Sequence, residues 1–440
     1  MSRPRIVIVG AGFAGFHAAR TLSMLSRGSA EIILINPTDY FLYLPLLPEV
    51  AAGVLEPRRV SVALNGKPGV RLVLGEVDTV DLEQRRVSYT DPEGGRGELG
   101  YHRLVLAVGS VNKLLPIPGA TEHAHGFRGL PEALYLRDHI TRQIELADAS
   151  DNPYERKARC TFVVIGAGYT GTEVAAHGQL FAASLLKAHP RLVDQPIRWL
   201  LVDIAPRTLP ELDQALSHRA ERVLRHRGVE LRLHTSVQEA TDRGVRLTDG
   251  EFVPTRSLIW CVGVRPDPLV QGLGLRTEKG RLVVDEHLTV PGHPDVYACG
   301  DAAAVPDLTN PGEFTPMTAQ HAMRQGRTAA HNIAASYGQG APMPYWHRDL
   351  GFVVDLGGAQ AVANPLQVPI SGPVAKAITR AYHLAAMPGN RVRVAADWLL
   401  NLVLPRQPVQ LGLVRSAQVP LDSAAPETPT AETSPVTPIR

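Results

Sequence analysis

Two glycine-rich turns constrain this chain more than any other feature. The first, Gly10-Ala-Gly-Phe-Ala-Gly15, follows the apolar, β-branched run Ile6–Val9 and leads into a helical pattern over Phe16–Leu25 and a second strand at Ile32–Ile35. The other, Gly166-Ala-Gly-Tyr-Thr-Gly171, follows Phe162–Ile165 and leads into a helix over Glu173–Leu186 and a strand at Trp199–Asp203. Strand, tight turn, helix, parallel strand is the setting in which GxGxxG has a physical meaning. The first glycine permits the turn, the second lets backbone approach a pyrophosphate, and the third lets helix and strand pack closely. The phosphates then meet unpaired N–H groups at the positive end of a helix dipole. Gly10, Gly12, Gly15, Gly166, Gly168 and Gly171 are therefore candidate nucleotide-binding positions. The expected fold is α/β, with two Rossmann-like dinucleotide-binding domains.

The residue ending the strand after each turn meets the ribose. In the second unit it is Asp203, a carboxylate that accepts from a free 2′-hydroxyl and repels a 2′-phosphate, which favours NADH over NADPH. In the first it is Asn36, an uncharged amide that can bond a ribose hydroxyl or simply hold a turn before Pro37. Short strands are expected at Arg71–Leu74, Glu76–Val80 and Arg86–Tyr89, with buried strands at Leu104–Gly109 and Leu258–Gly263. A further strand over Asp295–Asp301 ends in Gly-Asp before an alanine-rich stretch expected to start a helix. Asp301 there is an N-cap, a ligand for a flavin's ribityl chain, or both.

Composition removes several alternatives. The 440 residues carry 45 Lys and Arg against 43 Asp and Glu, a net charge of +2, with no basic excess to point to nucleic acid. The three cysteines, Cys160, Cys261 and Cys299, form no CxxC pair and sit on or beside apolar strands, so they read as core, and a reducing compartment suits them. Flavin-to-disulfide chemistry needs such a pair. No HxxxH or HExxH spacing marks a metal site among the histidines, and most of these read as solvated; His321 is the one to watch. Ile6 begins a strand too soon for a signal peptide, and no run reaches the roughly 18 to 20 apolar residues of a spanning helix, so a cytoplasmic location is expected.

These motifs together resemble the two-dinucleotide-domain flavoproteins, and within them the type II NADH dehydrogenases, single-subunit NADH:quinone oxidoreductases. The resemblance runs from Arg5 to about Leu413. It includes Asp39-Tyr-Phe-Leu-Tyr-Leu-Pro-Leu-Leu-Pro-Glu-Val-Ala-Ala-Gly53, Leu106-Ala-Val-Gly-Ser110 and Tyr297-Ala-Cys-Gly-Asp301. It implies FAD on the first unit, with Asn36, Val77, Ala107, Gly109, Asp301 and Ala319 around it, and NADH on the second, with Asp203 and Gly263. Hydride would pass from NADH to the flavin, and two electrons on to a membrane quinone, ubiquinone or menaquinone, without proton pumping. Glu173 matches an acidic residue that the family keeps near the nicotinamide and quinone, and is equally readable as a first-turn glutamate favoured by the helix dipole. The family's quinone-side motif, approximately AQxAxQ, appears here as Ala319-Gln-His-Ala-Met-Arg-Gln-Gly326. Gln320 matches; Arg324 replaces the second glutamine, and Gln325 beside it is turned about 100° round the helix. Arg324 could donate to a quinone carbonyl or pair with Glu173. Two other readings stay open: a soluble NADH-dependent reductase of a protein such as ferredoxin, and an NADH-sensing flavoprotein similar to apoptosis-inducing factor.

The expected domains are FAD-binding over 1–120 and 290–345, NADH-binding over 121–289 and inserted in the first, a C-terminal helical membrane-contact region over 346–415, and a disordered tail over 416–440. In Val374–Met387 a helical projection gathers Val374, Ile378, Ala381 and Ala385 opposite a basic face of Lys376, Arg380 and His383. Arg391–Leu404 gathers Trp398, Leu399, Leu402 and Val403 against Arg393, Asp397 and Asn401. Both read as amphipathic helices for peripheral contact with the inner face of a plasma membrane, with Trp398 at the headgroups, or else as a pair packed on the protein's own body. A homodimer is a further possibility raised by the family.

Overall fold

Arg5–Val9 (β1) lies inside a six-stranded sheet because everything from Ile6 to Val9 is apolar and is covered on both faces. In a computed structural model, which describes residues 3–66, 68–407 and 409–422, the chain turns at Gly10 into Phe13–Ser26 (α1). It returns as Glu31–Asn36 (β2), parallel to β1 with Ile6 opposite Ile32 and Val9 opposite Ile35. A short helix, Leu47–Ala51 (α2), follows; Val70–Leu74 (β3) then extends the sheet beyond β2, and Arg103–Leu106 (β4) pairs on the other side of β1. Strands His293–Ala298 and Thr289–Val290 complete it beyond β4.

The second unit repeats this arrangement. After Leu130–Ala149 (α3), Thr161–Ile165 (β5) feeds Gly166 and Tyr169–Leu185 (α4). Arg198–Val202 (β6) runs parallel to β5, with Phe162 opposite Trp199 and their rings stacked at 4.7 Å. Gln214–His226 (α5) leads to Val229–Arg232 (β7), and Ser257–Trp260 (β8) lies on the other side of β5. An antiparallel pair, Ser110–Asn112 with Val264–Pro266, joins the two units. The chain rejoins the first unit before residue 290, because Arg281–Val283 already pairs with Ala303–Ala304, the strand that follows Asp301.

Two expectations are corrected here. The alanine-rich stretch after Asp301 forms a single 3-10 turn and then a strand, and the next helix, Ala319–Ala335 (α6), starts only after Thr318. That helix lies so close along α1 that a Cβ at Gly326 would meet the Ala14 carbonyl oxygen at 2.1 Å. The tail does not loosen at Ser416: Ser416–Gln418 forms a turn, and Val419 and Leu421 are buried, Leu421 against the second unit's core beside Trp260. The rest of that tail, 423–440, lies outside the described residues.

The C-terminal region is a small sheet, Val353–Asp355 (β9), Ala361–Ala363 (β10) and Ile370–Ser371 (β11), followed by Pro373–Ala386 (α7) and Arg391–Val403 (α8). The helices are amphipathic, but α7 buries its polar side and α8 buries a mixed one, Val394, Asp397 and Trp398. In α7, Lys376, Thr379 and His383 are buried with Ala375, while Val374, Ile378 and Tyr382 face out. In α8, Trp398 is buried and donates its indole N–H to Glu49, and Asp397 accepts from Arg59 Nε at 2.9 Å; Leu399, Leu402 and Val403 are exposed. The basic face of α7 is thus an inner face, and Trp398 anchors α8 to the protein. Among the described residues, no helix is long and apolar enough to cross a membrane.

Candidate active site

Each glycine-rich turn divides its three glycines between two tasks. Gly10 adopts φ +90°, and a Cβ there would meet the Ala107 carbonyl oxygen at 2.5 Å; one at Gly15 would meet the Gly10 oxygen at 1.8 Å. A Cβ at Gly12 would meet nothing within 4 Å. The second turn repeats this: Gly166 (φ +100°) faces the Cys261 oxygen at 2.2 Å, Gly171 faces the Gly166 oxygen at 1.8 Å, and Gly168 opens on empty space. The outer glycines are required by the chain's own packing, while the middle one leaves a bare backbone surface at a helix start, which fits a nucleotide pyrophosphate. Gly109 (φ +77°) and Gly263 (φ +98°), at equivalent strand ends, border similar open space.

The strand-end side chains tie these turns down. Asn36 Oδ1 accepts from Ala11 N at 2.8 Å and its Nδ2 donates to the Thr38 carbonyl at 2.9 Å. Asp203 does the same in the second unit, accepting from Ala167 N at 2.5 Å and from Ala205 N at 2.7 Å. Asn36 is therefore a turn-organising residue in this structure. Val77 sits half-buried on Glu76–Asp81, and Ala107 is buried against Gly10 and Gly15. Asp301 accepts from Ser110 Oγ at 2.7 Å, and burial pushes its carboxyl above the usual range despite that bond and the nearby Arg128 and Arg281. Gln325 explains its own offset from the expected position: it is buried, accepts from Gly300 N at 2.8 Å, and so holds the turn that presents Asp301.

Ala319 and Gln320 open α6, where Thr318 caps the helix by accepting from His321 N. Gln320 is gripped by the loop before β9: its amide donates to Asp349 and to the Gly351 carbonyl at 3.2 Å, and its oxygen lies 3.2 Å from His347 Nε2. His321 is buried against the Tyr345 hydroxyl at 2.8 Å, and burial lowers its pKa. Arg324 does not pair with Glu173. Its Nη1 donates to the Gln320 carbonyl at 3.0 Å, and its charge acts on Tyr345, His347 and Tyr382, so the guanidinium lies on the loop side of α6.

Glu173, just past the first turn of α4, is half-buried and accepts from Asp355 N at 2.8 Å. Gln320 and Glu173 thus grip the same segment, at Gly351 and at Asp355. Burial, reinforced by the Asp355 charge, pushes the Glu173 carboxyl well above the usual range. Around it lies a cluster that the sequence reading did not single out. Lys376 bonds Asp355 and stands 3.6 Å from Glu49; His177, one turn after Glu173, lies 3.3 Å from Asp355. Although burial opposes it, Asp355 is held well below the carboxylate range by His177 and Lys376, whereas burial raises Glu49. Glu49, His177 and Asp355 place three ligand-type atoms within 4.8 Å of one another, and the Lys376 ammonium supplies the cation among them. The His177 spacing from Glu173, one helical turn, was the available signal.

The chain matches the pyridine nucleotide-disulphide oxidoreductase family over residues 4–326. It is 30% identical over 424 residues to the type II NADH:quinone oxidoreductase Ndh of Mycobacterium tuberculosis, covering 92% of this chain and 89% of that one. The chain belongs to the type II NADH:quinone oxidoreductases. The demethylphylloquinone reductase NdbB of Synechocystis is 29% identical, covering 90% of this chain and 96% of its own. The NDH2 of Plasmodium falciparum, solved with NADH, superposes with a TM-score of 0.85 at 18% identity, covering 93% of this chain and all of that one. A Rhodopseudomonas palustris ferredoxin reductase shares the fold at a TM-score of 0.66 and 24% identity, covering 82% of this chain and 81% of its own. As a type II NADH:quinone oxidoreductase, the protein is an oxidoreductase of FAD and NADH.

Proposed function

We propose that the protein oxidises NADH at the second unit and delivers two electrons through FAD to a membrane quinone at the Gln320–Asp355 segment, while resting on the inner face of the plasma membrane. One observation carries the quinone reading: the loop that grips Gln320 is fringed by exposed apolar side chains, Met317, Trp346 and Leu350, and the outer face of α7 exposes Val374, Ile378 and Tyr382. A water-insoluble acceptor could pass from a bilayer to this mouth without crossing water.

Bound FAD supplies the flavin, which takes a hydride from nicotinamide and gives up two electrons. The protein's part is to hold and to protonate. Gly12 and Gly168 admit the pyrophosphates; Asp301 and the Gly300 turn, fixed by Gln325, face the flavin side of the first unit. Reducing a quinone to a quinol consumes two protons, and NADH brings one with its hydride. Glu173 is the donor of the other: Oε1 is taken up by Asp355 N, so its proton sits on Oε2. Arg324 offers N–H donors at the acceptor mouth, where Gln320 holds the loop in place. One chain provides every one of these groups, so this reading requires no dimer.

The test is anaerobic absorbance of the FAD-loaded protein. One equivalent of NADH should bleach the flavin, and a soluble menaquinone analogue should restore it. Bleaching without recovery would overturn the quinone reading and favour a protein acceptor or a sensor.

A further inference from the structure

On the side of the C-terminal sheet turned toward α5 lies a groove of about 550 Å³. Its cationic wall is Arg219 and Arg222, with His226 spaced to share the same face of α5; Gln360, Ser371 and Gly372 face them. Among the described residues, no Asp or Glu lines the groove. Arg219 uses one nitrogen on Ser371 Oγ, at 3.2 Å, and among the described residues neither Arg219 nor Arg222 makes an ion pair, although arginines elsewhere in the fold commonly do. Glu221, the acid nearest in sequence, accepts from Thr208 N instead. The neighbouring Arg227 is committed to the Leu356 and Gly357 carbonyls and locks the sheet to α5, so the wall stands on fixed backbone.

The groove ends at Gly372, the N-cap of α7. Val374, two residues on, begins the outward apolar face that continues through Ile378 and Tyr382. A cationic recess running into an exposed apolar helix face suits a molecule with a compact anionic head and an apolar body. We propose that this groove seats the phosphodiester of an anionic phospholipid whose acyl chains lie along α7. The assignment rests on the reading that the outer face of α7 and α8 meets a bilayer, and it adds the lipid class that this face selects.

The test uses full-length, FAD-loaded protein in flotation with vesicles of phosphatidylcholine alone or with phosphatidylglycerol added. The protein should prefer the anionic vesicles, and Arg219→Gln with Arg222→Gln should remove most of that preference. The loss should be roughly 25-fold at low salt, taking about fivefold for each surface cation. Binding to pure phosphatidylcholine and turnover with a soluble quinone should stay unchanged. Arg222→Glu alone, at an exposed position that cannot compromise folding, should give a loss in the same direction. Equal binding of the unaltered protein to both vesicle types would overturn the groove assignment and leave the apolar face standing; binding to neither would overturn both. If inorganic phosphate, against chloride of equal ionic strength, raises the thermal midpoint only when both arginines are present, and no lipid preference is seen, the groove takes free phosphate and the lipid assignment fails.

Discussion

Gly12 and Gly15 belong to one hexapeptide, yet their missing side chains serve different ends, and two alanine substitutions separate them. A methyl at Gly12 enters space that no protein atom fills, so Gly12→Ala should fold with a near-normal midpoint in the absence of FAD but bind FAD much more weakly. A methyl at Gly15 would sit 1.8 Å from the Gly10 carbonyl, so Gly15→Ala should lower stability whether or not FAD is present. Thermal unfolding with and without FAD reads both. Glu173 sets a second residue-scale expectation. Glu173→Gln keeps the bond from Asp355 N but has no acidic proton to give, so NADH should still bleach the flavin while reoxidation by quinone slows by roughly 100-fold or more. The glycines were readable because their spacing encodes backbone geometry. Asp355 was not, since Phe352-Val-Val-Asp-Leu356 reads as an apolar strand, and nothing local reveals that His177 and Lys376 close on it.

At the scale of the element, helix periodicity identifies two faces but does not say which one is buried. In α7 the outcome was settled by distant partners. Glu49 on α2 and Asp355 on β9 stand under the helix, and an ammonium between two buried carboxylates makes the polar side of α7 its inner side. Lys376→Met should therefore destabilise by about 3 to 5 kcal/mol, because it leaves the Asp355 carboxylate buried without its cation, and Asp355→Asn on top of it should recover most of the loss. Denaturant midpoints of the two single variants and the double variant test the coupling. The same inversion decides how membrane contact should be probed. Deleting the chain from α7 onward removes Lys376 and Trp398 with the outer face, so lost binding would say little. Leu399→Ser with Leu402→Ser and Val403→Ser touches only exposed positions. This triple variant should leave soluble-quinone turnover unchanged and release the protein from vesicles.

Across the whole molecule, the long-range order was legible: two repeated βαβ units, each marked by its glycines and strand ends, followed by a helical appendage. What escaped was how the appendage closes on both units, through Glu49, Glu173 and Asp355 on one side and Leu421 on the other. That closure and the interiors it covers keep several histidines neutral. Burial lowers His17 and His139 to about 3, and His125 and His383 to about 4. In the unfolded chain these imidazoles take up protons near pH 6.5, while the native state refuses them until far lower pH. Stability is thus full above about pH 6.5 and falls as pH drops toward 4, at about 1.4 kcal/mol per pH unit for each such group. Glu173 works in the opposite sense. Its raised carboxyl keeps a proton that the unfolded chain loses near pH 4.5, so its contribution declines as pH rises above that value. Glu173→Gln should accordingly gain on the unaltered protein as pH rises above about 5. His383→Gln should instead flatten the acid limb by one proton's worth between pH 6 and pH 4.5, even though it disturbs the contact with the Tyr43 hydroxyl at 3.1 Å. Thermal midpoints across that range distinguish the two: a fixed offset from the lost contact would leave the slope unaltered, whereas removal of a buried neutral imidazole changes the slope itself.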